Sequence, residues 1–245
     1  MPSKVDSTRI LVVDDDADIR SNICDILENL GYDVDTAADG KEALELVHRQ
    51  RYDIALLDYM MPGMNGVELY REIRQVRPDL IAIMITAHAG SDGTDQARDA
   101  GTWRVLPKPL DLQALLPLID EVSRWPIILV VDDDEAFCDN VWQTLQGHDY
   151  RVNVAHTEAE GVEKAGQSPY QAAIVDLRLN DGDGRHVIEI VKRVRPDAKL
   201  LVVTGSRDRA EDISEQIEGL CYKPVDMNQL LQLLDRCRTG VNGDG

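Results

Sequence analysis

Two sets of five residues carry the chemistry open to this sequence. Asp14, Asp15, Asp58, Thr86 and Lys108 form the first set, and Asp132, Asp133, Asp176, Thr204 and Lys223 form the second. Each set offers three carboxylates, one hydroxyl and one ammonium. Two carboxylates about 4 Å apart repel by roughly 4 kcal/mol at an effective dielectric near 20, so a converging set of this kind calls for a divalent cation. Magnesium suits oxygen ligands, retained waters and a phosphate partner. A carboxylate can also act as a nucleophile toward phosphorus, a reaction that needs in-line positioning and positive charge on the equatorial oxygens. Each residue has a plainer alternative role. Asp15 or Asp16 would cap a helix starting near Ala17, Thr86 would be an ordinary strand residue, and Lys108 a solvated charge before Pro109. What favours the chemical reading is that the whole pattern occurs twice.

The elements that must position these residues follow from hydropathy. Ile54 to Leu57 is too short an apolar run for a helix and fits a strand covered on both faces; Met61-Pro62-Gly63 turns the chain straight after Asp58. Ile10 to Val13 reads as a strand, followed by Ile19, Ile23, Ile26, Leu27 and Leu30 on one helical face. Strands at 32–36, 80–85 and 103–106 and helices at 41–48, 67–76, 92–100 and 112–122 continue the alternation. Five strands alternating with five helices predict a parallel sheet with right-handed crossovers and helices on both faces. Ligands of such sheets bind at the carboxyl ends of the strands, where the strand order reverses, and the polar residues named above fall at those ends.

The chain repeats itself at an offset of 118. Asp14, Asp15, Asp58 and Thr86 map onto Asp132, Asp133, Asp176 and Thr204, Tyr32 onto Tyr150, Tyr52 onto Tyr170, and Arg77-Pro78-Asp79 onto Arg195-Pro196-Asp197. We therefore expect a duplicated domain, residues 1–124 and 125–245, joined with almost no linker near Arg124-Trp125-Pro126 and ending in a flexible tail from about residue 239. At 245 residues each copy is long enough to bury a core. The net charge of -19 argues against sequence-independent binding to nucleic acid or to anionic membrane. Four cysteines without a Cys-x-x-Cys pair read as free thiols. No apolar run approaches a membrane span, and a cytoplasmic protein is expected. The five histidines show no ligand spacing, and Trp103, Trp125 and Trp142 read as packing residues.

Both halves resemble the receiver domain of bacterial two-component response regulators. The first carries Ile-Leu-Val-Val-Asp14-Asp15-Asp16, Leu-Leu-Asp58-Tyr-Met-Met-Pro-Gly-Met-Asn-Gly, Ile-Thr86-Ala and Pro-Lys108-Pro. The second carries Ile-Leu-Val-Val-Asp132-Asp133-Asp134, Ile-Val-Asp176-Leu-Arg-Leu-Asn-Asp-Gly-Asp-Gly, Val-Thr204-Gly and Tyr-Lys223-Pro. The resemblance covers about residues 8 to 238 and implies two tandem flavodoxin-like (βα)5 domains with doubly wound parallel sheets in strand order 2-1-3-4-5. It further implies that Asp58 and Asp176 accept a phosphoryl group. Mg²⁺ would be held by Asp14, Asp15, Asp58 and the Met60 carbonyl in the first copy, and by Asp132, Asp133, Asp176 and the Arg178 carbonyl in the second. Thr86 and Thr204 would bond the phosphoryl oxygens, and Lys108 and Lys223 would pair with them.

The partners implied are a histidine kinase or a histidine phosphotransfer protein and a downstream protein, with homodimerisation as a further expectation. The chain would be a phosphoacceptor with self-phosphotransfer and autodephosphorylation rather than a turnover enzyme. The two copies take up nearly the whole of this sequence and no effector is recognisable in it, so output is expected by protein contact, by passing the phosphoryl group on, or through a domain outside this sequence. An interaction scaffold with a silent second copy, and a hydrolase using Asp14-x-Asp16, are the competing classes. An NTPase is disfavoured, since no Gly-x-x-x-x-Gly-Lys-Ser/Thr loop occurs.

The sequence departs from the family pattern at several points. Val105 and Leu220 stand where receivers carry an aromatic residue, and Trp103 is the expected substitute in the first copy. Thr86 to Lys108 spans 22 residues but Thr204 to Lys223 only 19, so the second copy has lost three residues around its fourth helix. Asn180 replaces the proline found at Pro62 and is expected to loosen the loop after Asp176. Met60 and His88 border the first site where Arg178 and Ser206 border the second, so water should attack the two acyl phosphates at different rates. Phosphoryl lifetimes measured on the singly competent variants Asp58→Asn and Asp176→Asn should therefore differ; equal rates of label loss would sink the expectation.

Overall fold

A computed structural model describes residues 8–87, 96–97, 100–205 and 217–239, with side chains as far as Asp235. The chain divides into two compact units, residues 1–125 and 126–245, so Trp125 falls in the first unit, one residue beyond the boundary expected above.

The first unit runs β1 (Arg9–Val13), α1 (Ala17–Asn29), β2 (Asp33–Ala37), α2 (Gly40–Arg49), β3 (Ile54–Asp58), α3 (Gly66–Val76), β4 (Ile81–Thr86), β5 (Arg104–Pro107) and α4 (Leu112–Ser123). Its five strands are ordered β2-β1-β3-β4-β5, every pairing parallel. Strand alternation then divides the core in two. Ile10, Val12, Ile54, Leu56 and Ile83 face α1 and α4, while Leu11, Val13, Ala55, Leu57 and Met84 face α2 and α3. Covered on both sides, β3 is buried at all five positions, as its unbroken apolar run requires.

The second unit repeats the plan with β6 (Ile127–Val131), α5 (Glu135–Gln146), β7 (Arg151–Ala155), α6 (Glu158–Gln167), β8 (Ala172–Asp176), α7 (Gly184–Val194), β11 (Lys199–Thr204), β12 (Gly219–Tyr222) and α8 (Met227–Thr239). Its parallel sheet is ordered β12-β11-β8-β6-β7, the same arrangement read from the other edge. It adds one feature that the first lacks among the described residues. A short antiparallel hairpin, β9 (Arg178–Leu179) and β10 (Gly182–Asp183), follows Asp176. The expectation that Asn180 loosens this loop is thereby corrected: the segment is tied into strand pairs.

Of the fourth helix expected at 92–100 only Gln96, Ala97 and Ala100 are described, the first two helical; the helix after Thr204, its shortening, and the tail beyond Thr239 lie outside the described residues. Trp142 is buried, and Trp125 is buried edge-on against Trp103, with ring centroids 4.9 Å apart. Cys24, Cys138 and Cys221 are free thiols; the Cys237 side chain is outside the described set.

The helix after each acceptor strand starts against that strand's end. A Cβ on Gly66 would overlap the carbonyl oxygen of Asp58, and one on Gly184 would overlap that of Asp176. Only a residue without a side chain allows this approach. Gly66→Ala should cost about 1–3 kcal/mol, the usual range for forcing extra volume into a packed site, as read from denaturant midpoints at unchanged m-value.

Candidate functional site

The site of the first unit forms where β1 and β3 end side by side. The pairing aligns Val13 with Leu57, so Asp14, just past β1, and Asp58, the last residue of β3, reach the rim together. Both are almost fully buried. Asp58 lies opposite Ile85 on β4, which carries Thr86, itself buried, to the same rim one residue further on; Thr86 pairs in turn with Pro107, beside Lys108. The crossover order of the sheet thus gathers residues up to 94 positions apart.

The polar atoms meet around the lysine. Lys108 Nζ donates to Asp14 Oδ2 at 2.7 Å and to Asp58 Oδ2 at 2.8 Å. The other oxygen of each carboxylate accepts a main-chain N–H, from Asp16 onto Asp14 Oδ1 at 2.9 Å and from Met60 onto Asp58 Oδ1 at 3.2 Å. Asp15 is exposed but can bring one oxygen within 4.8 Å of those of Asp14 and Asp58. Asp16 is the residue that caps α1, accepting from the N–H groups of Asp18 and Ile19.

Residue by residue the second site matches. Lys223 Nζ donates to Asp132 Oδ1 at 2.9 Å and to Asp176 Oδ2 at 2.8 Å, and lies 2.8 Å from Asp132 Oδ2 in the ion pair. Asp134 N–H donates to Asp132 Oδ1, and Arg178 N–H to Asp176 Oδ1 at 2.9 Å. Asp132, Asp133 and Asp176 again bring oxygens within 4.8 Å of one another. Thr204 is fully buried, and Asp176 faces Val203 in the register that Asp58 shares with Ile85.

Electrostatics explain why each cluster holds together. Burial pushes the Asp58 carboxyl up, against the lowering effect of the Lys108 bond and of the Met60 N–H. Asp132 is raised for the same reason, against Lys223. Burial acts to lower the Lys108 ammonium, but its bonds to Asp14 and Asp58 outweigh this and raise it, as Asp132 and Asp176 do for Lys223. One ammonium facing three acidic groups leaves an excess of negative charge. Three carboxylate oxygens within 4.8 Å are a hard-oxygen set that fits a divalent cation such as Mg²⁺.

The expectation that Trp103 replaces the missing aromatic is overturned. Its ring packs against Trp125 on the α1 and α4 face, whereas Val105 packs on the α2 and α3 face. Leu220 likewise packs into the core on the α6 and α7 face. His88 and Ser206 lie outside the described residues.

Five neighbours of the sites were not assigned to them from the sequence. Arg20 donates to the Asp14 carbonyl at 2.6 Å, and in the second unit the buried Cys138 thiol and His156 Nδ1 approach the Asp132 carbonyl instead. Phe137, the only phenylalanine of the chain, places its ring 5.0 Å from Lys223 Nζ. Glu158, at the start of α6, bonds the hairpin after Asp176. The 118-residue offset held the signal, since it aligns Arg20 with Cys138, Ile19 with Phe137 and Gly40 with Glu158.

An open, doubly wound parallel sheet with three carboxylates and a lysine at its switch point defines an acidic, cation-compatible α/β domain, present here twice. Comparison with known proteins places it. The model of the response regulator receiver domain matches residues 10–120 and again 128–235, and the chain belongs to that family. A response regulator receiver protein of Anaeromyxobacter sp. (strain Fw109-5) is 34% identical over 228 residues, covering 93% of this chain and 94% of that protein. The response regulator MprA of Mycobacterium ulcerans is 39% identical over 139 residues, and the match spans 58% of its length. Among solved structures, a CheY-like receiver domain protein from Methanospirillum hungatei is 34% identical, with a TM-score of 0.46 over 48% of this chain and 94% of that one.

Removing one partner of a buried ion cluster leaves charge uncompensated. Lys108→Ala should therefore lower stability by about 3 kcal/mol in chelator, at the low end for a broken buried pair because the ammonium is partly exposed, and Mg²⁺ should restore much of the loss. Thermal melts with and without Mg²⁺ test this.

Proposed function

We propose that the protein is a tandem response regulator that accepts phosphoryl groups on Asp58 and Asp176 from a phosphohistidine of a histidine kinase or a histidine phosphotransfer protein. The observation that carries the reading is the lysine bridging two buried carboxylates at both sites, with a third carboxylate in reach. In the transfer, a carboxylate oxygen of Asp58 forms a bond to phosphorus as the phosphorus–nitrogen bond of the donor breaks, and the imidazole leaves and takes up a proton. Asp14, Asp15, Asp58 and the Met60 carbonyl would hold Mg²⁺, which would supply positive charge against the phosphoryl oxygens. Lys108 adds a second cation. Before the reaction it bonds Asp14 and Asp58; afterwards its ammonium pairs with a phosphoryl oxygen, so the bond to Asp58 Oδ2 is exchanged rather than lost. Thr86 donates its hydroxyl to another phosphoryl oxygen.

The acyl phosphate carries roughly one more negative charge than the carboxylate it replaces, together with strong acceptor oxygens, and draws Thr86 and its loop inward. Asp132, Asp133, Asp176, the Arg178 carbonyl, Thr204 and Lys223 take the same parts in the second copy. With Val105 and Leu220 in place of a ring, the change of surface cannot run through an aromatic rotamer.

Output is by contact with a downstream protein, by homodimerisation, by onward relay or through a domain outside this sequence, in a cytoplasmic phosphoprotein that is not a turnover enzyme. Among the described residues no helix is long and apolar enough to cross a membrane. The acidic charge disfavours nucleic acid as a partner. The completeness of the Lys223 cluster favours two competent sites over a silent second copy.

Intact mass after treatment with acetyl phosphate and Mg²⁺ tests the reading. The parent should gain two phosphoryl groups, Asp58→Asn and Asp176→Asn one each, and the double variant none; no gain in the parent would overturn the proposal.

A further inference from the structure

The loop after the acceptor is built in different ways in the two units. In the first, Met64 of the loop lies over Gly40 at the start of α2, and a Cβ on Gly40 would come within 2.8 Å of Met64 Sδ. In the second, the large and small residues have exchanged places. Position 158, equivalent to 40, is glutamate, and position 182, equivalent to 64, is glycine, where a Cβ would overlap the Glu158 carboxylate.

The exchange converts an apolar contact into a polar clamp. Glu158 Oε2 accepts the N–H of Asp183 at 2.7 Å, and Oε1 lies 2.6 Å from His186 Nδ1. The Glu158 N–H donates back to the Asp181 carboxylate, 3.1 Å from Oδ1. Glu158 is therefore bonded to β10, to the hairpin turn and to α7 at once. The Asp183 bond, with His186 second, holds its carboxyl below the usual range, so it stays an ionised acceptor. Asp183 in turn pairs with Arg178 across the hairpin, and the Arg178 N–H bonds Asp176 Oδ1. An unbroken path of bonds runs from the start of α6 to the acceptor carboxylate.

We propose that Glu158 is a positioning residue of the second site, fixing the β9–β10 hairpin so that Asp176 and the Arg178 carbonyl are presented together to the divalent cation. The inference rests on the phosphoacceptor reading of that site. It assigns to the second copy a polar device in place of the Met64 packing of the first, and explains how the loop keeps its shape with Asn180 where the first copy has Pro62.

The test uses the full chain carrying Asp14→Asn and Asp58→Asn, in which the first copy lacks two of its three carboxylates and Mg²⁺ titration calorimetry reports the second. In this background Glu158→Ala should weaken Mg²⁺ binding about tenfold, the lower end for loss of an outer-shell partner, while Glu158→Gln, which keeps an acceptor oxygen, should recover most of it. Amide exchange at Asp183 in metal-free protein should rise in the alanine variant only. Gly182→Met alone should also weaken binding, and Glu158→Gly with Gly182→Met, which installs the first copy's packing pair, should restore it. That pair decides the question even if Glu158→Ala fails to fold.

Faster Asp183 exchange with unchanged Mg²⁺ affinity, or failure of the exchanged pair to restore binding, would overturn the positioning role. A background protein that binds no Mg²⁺ would instead overturn the phosphoacceptor reading of this site, and the inference with it.

Discussion

The bridge from one ammonium to two buried carboxylates is the constraint on which each unit depends. Asp14 and Asp58 are almost wholly removed from water, and so are Asp132 and Asp176. Charges in that position are tolerated only when paired and hydrogen-bonded. Lys108 and Lys223 supply the pairing, and each of the four carboxylates also accepts a main-chain N–H. The demand reaches into the fold. The lysine must arrive from the edge strand of the sheet, the acceptor must end a strand buried on both faces, and the next helix must begin against the acceptor's carbonyl, where only Gly66 or Gly184 fits.

Such a cluster is poised rather than relaxed. The Asp58 carboxyl is raised by burial in spite of its lysine, so its ionised form is held at a cost that added positive charge relieves. In the proposed function, a cation and then a phosphoryl group would be accommodated by redistributing bonds already made to Lys108. The same raised group couples folding to pH. Because the folded carboxyl binds its proton more tightly than the unfolded one, its contribution is fully present below the unfolded value and declines as pH rises through the folded value. A bound divalent cation would oppose that decline by stabilising the ionised form.

The two copies show how one framework tolerates different supports. The acidic rim is the same, while the groups behind it differ: Arg20 against Cys138 and His156 at the carbonyl of the first aspartate, Phe137 beside Lys223 where the first copy has Ile19, Met64 over Gly40 against Glu158 over Gly182. In the last case the substitutions are paired, because a large residue on both sides would collide and a small one on both would leave a gap. Divergence behind the rim is where different phosphoryl lifetimes or partners would arise.

From the order of residues alone, the duplication, the parallel alternation and the residues at the strand ends were legible. Unbroken apolar runs mark strands covered on both faces, helical spacing marks the covering elements, and the repeat at 118 singled out the ten positions at the strand ends from ordinary surface charges. What tertiary structure decided are matters of direction and contact. Asp16, not Asp15, turned toward the N–H groups of α1. Trp103 took the face opposite Val105 and so could not stand in for the missing ring. Asn180, which on local grounds should loosen a loop, sits in a hairpin because Glu158, 22 positions earlier, reaches across to it. Local propensity records what a residue prefers among its chain neighbours; these outcomes depend on partners that only the closed sheet and its helices bring within bonding distance.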